Sequence, residues 1–185
     1  PDGHTLLYYG SGVWLAPFMG GKVPYDPVKS FAPITLSTSA PNVLVVTPSL
    51  PFNSVKELVA YGRAKPGAIS YASAGSGGSS HLAAELFKSV AGVDMLRIAY
   101  RGTAPALTGV AAGEVNVMFS QTTAATPFIQ SGKLKALAMT TLKPSPLLPG
   151  VPTVAASGVP GYEASSINGL FAPAKLPASL LTQVH

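Results

Sequence analysis

The pattern of apolar and polar positions changes character near residue 54. Upstream, short apolar runs are separated by turn residues. HTLLYY at 4–9 is closed by Gly10-Ser11-Gly12, and a Pro/Gly-rich connection, PFMGGKVPYDP, occupies 17–27. FAPIT at 31–35 and NVLVVT at 42–47 follow, the second rich in β-branched residues. Runs of this length and composition predict strands, and the run at 42–47 a buried one.

From Ser54 the period becomes that of alternating helix and strand. Ser54-Val55-Lys56-Glu57 has the spacing of a capping box. It opens a helix whose inward stripe is Leu58, Val59 and Tyr61, and which Pro66-Gly67 ends. A strand is expected at 69–72. A helix from about Ser80 then places Leu82, Ala83, Leu86, Phe87 and Val90 on one face, with Gly92 as its stop. A strand at 95–100 leads to a helix with Pro105 in its first turn, ending at Gly113. A strand at 115–119, a helix to Gly132 and a strand at 134–140 close the series. Strands and helices alternating at these lengths predict an α/β fold with a parallel sheet and right-handed crossovers.

In such sheets ligands sit beyond the carboxyl ends of the strands. Here those ends fall at 73–80, 101–103, 120–123 and 140–141; all carry hydroxyls and none contains Asp, Glu or Cys. Most of them open a helix, whose unpaired first-turn N–H groups and positive dipole end favour an anion. The stretch YASAGSGGSSHLAAELF at 71–87 is the richest of the junctions. Its residues Ser73, Ala74, Gly75, Ser76, Gly77 and Ser80 are read as a seat for a carboxylate or phosphate, the glycines letting backbone amides close around an oxygen. A capped, solvated turn is the plainer alternative. His81 is expected to cap, to pack or to lend a hydrogen bond near the anion. Arg101 is the one charged residue placed near the ligand, against the alternative of an ordinary surface arginine. Trp14 and Tyr25 suit core packing or an opposite wall.

Composition narrows the function. With 185 residues, 47% apolar and 10% charged, the chain can bury a core as one larger domain or two lobes. No apolar run approaches the roughly 18–20 residues of a spanning helix. The net charge of +5 is dispersed, which argues against nucleic acid and suits an anionic small solute. There is no cysteine, so disulfides and thiolate metal sites are excluded. Catalytic motifs fail on supply. GSGGSS departs from G-x-G-x-x-G at Ser80, and neither a P-loop nor a G-x-S-x-G elbow is present. Asp26, Asp94 and Glu114 read as turn residues, Glu57 as part of the capping box and Glu85 as solvent-facing. His4, His81 and His185 are dispersed, so no metal set is expected. No catalytic residue, cofactor or metal is therefore expected, and the chain is read as a binding protein rather than an enzyme. A hydrolase using the serines with His81, or the ligand-sensing domain of a transcriptional regulator, are the alternatives.

Long motifs then carry a resemblance. PDGHTLL (1–7), VPYDPVKSFAPIT (23–35), PSLPFNSVKELVAYGRAKPGAISYASAGSGGSSHLAAELFKSVAGVD (48–94) and AYRGTAPALTGVAAGEVNVMF (99–119) closely resemble the solute receptors of tripartite tricarboxylate transporters, the Bug-type receptors. KLKALAMT and SPLLPGVPTVAASGVPGYEASSINGLFAPAKLP, within 133–177, continue the match. The resemblance implies a type II periplasmic binding-protein fold: two lobes with parallel-rich sheets flanked by helices, and a chain that crosses the hinge twice. It implies a periplasmic, monomeric receptor that delivers a small mono- or dicarboxylate to membrane permease subunits. It places residues 1–46 and 165–185 in the first lobe and 47–164 in the second. It puts ligand contacts on Ser73, Ala74, Gly75, Ser80, Gly102, Thr103, Ser120 and Gln121, with Ser166 and Asn168 facing the cleft near the return hinge.

Departures accompany it. Gly12-Val13-Trp14 stand where the family commonly has Thr-His, and Ser120-Gln121 where an Asp-Asn often follows the VMF strand, so a less acidic site is expected. The family's first strand with its Pro-Gly-Gly-x-x-Asp loop, and its C-terminal helices, have no counterpart in these residues. The chain, which starts at Pro1 rather than Met, is accordingly expected to be an interior stretch of such a receptor.

Overall fold

The apolar run at 42–46 is the downstream part of one 16-residue strand, β2 (Phe31–Val46), so the strands expected at 31–35 and 42–47 are continuous. The computed structural model describes residues 2–19 and 22–185; Pro1 of the first family motif and Gly20 and Gly21 of the Pro/Gly-rich connection lie outside the described residues. The chain falls into two compact units, residues 1–39 with 166–185, and residues 40–165. The first division falls inside β2, upstream of the 46/47 boundary read from the sequence.

In the larger unit β2 is followed by α2 (Val55–Ala64), β3 (Ile69–Ser73), α3 (Ser79–Ala91), β4 (Met95–Ala99), α4 (Thr103–Ala112), β5 (Val117–Gln121), α5 (Thr122–Gln130) and β6 (Lys135–Met139). The strand order is β4-β3-β5-β2-β6. β3 runs parallel to β4 and β5, with Ile69 opposite Met95 and Tyr71 opposite Val117. β2 is antiparallel to both its neighbours, Asn42 facing Gln121 and Val43 facing Met139. The sheet is mixed rather than all-parallel, because β2 enters at the edge where β5 ends and runs back down the sheet. Strand periodicity carries no information about direction. One consequence matters for function. Since β2 opposes both β5 and β6, strands β3, β4, β5 and β6 all point the same way, and the junctions singled out above lie along one edge.

Successive residues of a strand face opposite ways, and β2 is apolar on both faces. Leu44 and Val46 pack with Ile69, Tyr71 and Phe119 beneath Leu58 of α2 and Ala83, Ala84 and Phe87 of α3. Val43 and Val45 pack with Ala72, Met118 and Met139 beneath Leu107 and Val110 of α4 and Ala125 of α5. Half of the capping box is formed: Ser54 Oγ accepts from the Glu57 amide at 3.3 Å, while Glu57 reaches past the N-cap residue to accept from the Asn53 amide at 2.6 Å. The stripe expected on α3 is rotated. Leu86 and Val90 are 39% and 41% exposed, while Ala83, Ala84, Phe87 and Ala91 are buried. Alanines bring the helix close to β3 and β5, and Phe87 fills the remaining gap against Phe119 and Tyr162, at 5.4 and 5.8 Å between ring centroids.

In the smaller unit β1 (Leu7–Gly10) pairs antiparallel with β7 (Ser165–Pro173), Leu7 opposite Phe171, and β7 lies beside β2. A one-turn helix, α1 (Gly12–Leu15), brings Trp14 edge-on to Phe171 at 4.9 Å. Tyr25 meets Phe31 at 5.5 Å; both aromatics are half-buried and pack edge-on against neighbouring rings rather than inside a core cluster. The C-terminal helix α6 (Ala178–Val184) brings Leu180, Leu181 and Val184 to a small cluster around Ile34, Ala172 and Leu176.

Candidate functional site

The turn between β3 and α3 owes its shape to glycine. Gly75 and Gly77 have φ of +152° and +74°, where a side chain would strain the backbone. Two side chains from the first turn of α3 reach back to close the loop. Ser80 Oγ accepts from the Ala74 amide at 3.0 Å, and His81 Nδ1 accepts from the Gly77 amide at 3.1 Å. The N-cap of α3 is Gly78, which offers no side chain to the first-turn amides. Gly102 plays the same part for α4, at φ +131°.

A hollow of about 210 Å³ lies at this edge of the sheet. The β3–α3 turn contributes Ala74, Gly78, Ser79 and Ser80; the start of α4 contributes Thr103; the end of β5 contributes Met118, Phe119, Ser120 and Gln121. None of these carries a charge. Three helices, α3, α4 and α5, begin along this edge. Helix N-termini with hydroxyls and no carboxylate nearby are suited to hold an anionic oxygen. The volume is below the roughly 300–1,000 Å³ of drug-sized pockets, which fits a small anionic group.

The hollow gathers Ala74, Ser80, Thr103, Ser120 and Gln121 from the sequence reading, and adds Ser79, which that reading had not singled out. Gly75 and Gly102 shape the turns. Ser73, Ser76, Gly77 and His81 do not line the hollow; their hydrogen bonds hold the turn. Arg101 is exposed and does not line the hollow. Thr140 does not line it either: its Oγ1 accepts from the Asn42 amide at 3.2 Å and bonds the Ala164 carbonyl oxygen, tying β6 to β2. Ser166 and Asn168 lie on β7 in the smaller unit. Ser166 is buried there, and Asn168 donates to Thr38 Oγ1 at 3.0 Å.

Sequence reasoning missed Arg97. From β4, directly opposite Tyr71, its Nε donates to Ser73 Oγ at 2.8 Å and its Nη2 to Ser76 Oγ at 2.9 Å. The signal was present: Arg97 stands two residues from Met95, which is buried, on the same side of the strand. Glu85 was expected to face solvent, but the Tyr71 hydroxyl donates to it and Lys88 Nζ lies 3.1 Å away. Burial works to raise the Glu85 carboxyl, but the hydrogen bonds from Tyr71 and Lys88 outweigh it and hold the group below its ordinary range. Burial pushes the Tyr71 phenol up, and its bond to Glu85 adds to this. His81 is held below its ordinary value by burial first and by the Arg97 charge second, so its neutral, accepting form is favoured. Among the described residues no cluster of His, Cys, Asp or Glu could hold a metal, and no helix is long and apolar enough to cross a membrane.

A helix-flanked sheet unit with an uncharged, hydroxyl-bearing hollow at its carboxyl edge, interrupting a second unit to which the chain returns, defines a periplasmic binding protein fold. BugD, a periplasmic binding protein of this class, superposes with a TM-score of 0.85 at 37% identity, over 100% of this chain and 62% of its own. The receptor family of the tripartite tricarboxylate transporters, TctC, matches residues 1–185, and the chain belongs to it. A UPF0065 protein from the tcbD-tcbE intergenic region of Pseudomonas sp. (strain P51) is 38% identical over 185 residues, covering 100% of this chain and 55% of that relative. MatC from Rhodopseudomonas palustris, solved with bound malate, superposes with a TM-score of 0.88 at 32% identity, over 100% of this chain and 63% of its own. Rpa4515 of R. palustris, solved with adipate, gives 0.85 at 34% identity, over 99% and 62%. The chain thus spans about half the length of the curated relatives it matches.

Proposed function

We propose that the chain is part of a periplasmic receptor that binds a small organic acid, a mono- or dicarboxylate, and presents it to the permease subunits of a tripartite tricarboxylate transporter. The observation that carries this reading is the hollow at the sheet edge. Amides and hydroxyls from the β3–α3 turn, the start of α4 and the end of β5 converge there without an acidic side chain. Uncharged donors suit a receptor, since they grip an anion and release it without leaving a buried charge behind. Ala74, Ser79, Ser80, Thr103, Ser120 and Gln121 are the proposed contacts, with Gly75, Gly77 and Gly102 setting the backbone. Malate in MatC and adipate in Rpa4515 support a carboxylate as the guest.

The test is a thermal-shift titration of the full protein with malate, adipate and a series of monocarboxylates. Stabilisation should follow mass action, reaching about 2.7 kcal/mol at a hundredfold excess over Kd. Ser80→Ala and Thr103→Val should weaken it, and the bound acid should be recovered chemically unchanged. Silence across the whole series would sink the proposal, and turnover of a bound acid would favour an enzyme.

A further inference from the structure

Among the described residues the one ion pair is Lys88 with Glu85. Arg97, bonded to the β3–α3 turn of the proposed carboxylate seat, is in none. An arginine fork ordinarily finds a carboxylate or phosphate. Here two of its nitrogens are spent on serine hydroxyls, Ser73 Oγ at 2.8 Å and Ser76 Oγ at 2.9 Å. Those two serines bracket Ala74 and Gly75, the first half of the turn that shapes the hollow. By accepting from the guanidinium, each hydroxyl oxygen has its own proton left to donate, and hydrogen bonds in such chains reinforce one another. Glu85 on α3, whose charge acts on His81 alongside that of Arg97, is already taken by Tyr71 and Lys88. The Arg97 charge is therefore not cancelled locally, and its field reaches His81.

We propose that Arg97 is a positioning residue of the seat: it clamps Ser73 and Ser76 so that the glycine turn holds one shape, and its uncancelled charge draws an anion to that turn. The proposal rests on the carboxylate reading for its second half only. The clamp is a statement about the loop and can be measured without any ligand.

The experiment compares Arg97→Gln and Arg97→Lys with the parent in the full protein. Amide hydrogen exchange reads the clamp. In Arg97→Gln the amides of Ala74 and Gly77 should exchange at least tenfold faster, while those of β2 and β5 stay as in the parent. Affinity for malate and adipate reads the charge. Arg97→Gln should lose at least tenfold and flatten the salt dependence, whereas Arg97→Lys should keep the salt dependence but not the loop protection. His81, followed by NMR, should titrate at higher pH in Arg97→Gln, an effect that a purely structural role would not produce once the fold is shown to be intact. Unchanged exchange in Arg97→Gln overturns the clamp, and unchanged affinity in a parent that binds malate or adipate overturns the charge effect. A parent that binds no carboxylate removes the functional reading and the charge half with it, and the exchange data still decide the clamp.

Discussion

Acidification should unlock the β3–α3 turn through one bond. His81 is 9% exposed, and its Nδ1 accepts the Gly77 amide at 3.1 Å. Protonation turns Nδ1 into a donor facing a donor. The bond, worth about 1 kcal/mol, is lost, and a buried N–H left without an acceptor costs about 1–3 kcal/mol. The direction in pH follows from linkage. Burial and the Arg97 charge depress the folded-state value below the ordinary 6.5, so the folded protein takes up this proton later than the unfolded chain. The contribution is fully present above the unfolded value and is lost as pH falls through the folded one. For a chain of this length each kcal/mol moves Tm by roughly 2–4 °C. In His81→Asn the amide oxygen stands where Nδ1 stood and does not titrate. Thermal unfolding of both proteins by circular dichroism from about pH 8 to pH 5 cancels every other titration in the difference. The curves should run parallel above the ordinary histidine value, and the parent should fall away from the variant below it. Parallel curves throughout would show that Gly77 does not depend on this acceptor.

Two further outcomes are expected. Thr140→Val removes the acceptor of the buried Asn42 amide and should cost about 1–3 kcal/mol by urea unfolding, with no change in the slope against denaturant. At Gly75 an added Cβ would meet nothing within 4 Å, yet φ is +152°. Substitution there acts through the backbone rather than through bulk, so Gly75→Ala should weaken carboxylate binding as much as Gly75→Val; a graded loss with side-chain size would contradict this.

The parts of this fold that were legible in the sequence are local ones. The capping box at Ser54, the stop of α3 at Gly92 and the glycine turn after β3 each depend on residues within a few positions of one another. Three of the strand-end junctions could be read for the same reason, since a strand followed by Ser or Thr and a helix is a local signature. What was missed depends on partners distant along the chain. Residues 31–35 and 42–47 read as separate strands, but β2 runs through both, and the Pro41 carbonyl accepts from Thr122 Oγ1 at 2.9 Å. The direction of β2 is set by pairing with β5 and β6. The true inward face of α3 is chosen by Phe119 and Tyr162, and the serine partners of Arg97 are set by the pairing of β4 with β3.

The placement of β2 also sets an order of assembly. The segment β3–α3–β4 can form as soon as it is made, because its parallel pair is closed through the 13-residue helix α3 alone. β2 is made earlier and must wait, since Asn42 meets Thr140 across 98 residues of chain. Such non-local pairings slow folding, and at ribosomal rates of about 5–20 residues per second the wait is on the order of 5–20 s. Throughout it the run Val43-Leu44-Val45-Val46, destined to be wholly enclosed, is a bare and sticky strand. The nascent chain should therefore be most prone to aggregation before β6 emerges, and a holdase that masks this run would act in that interval.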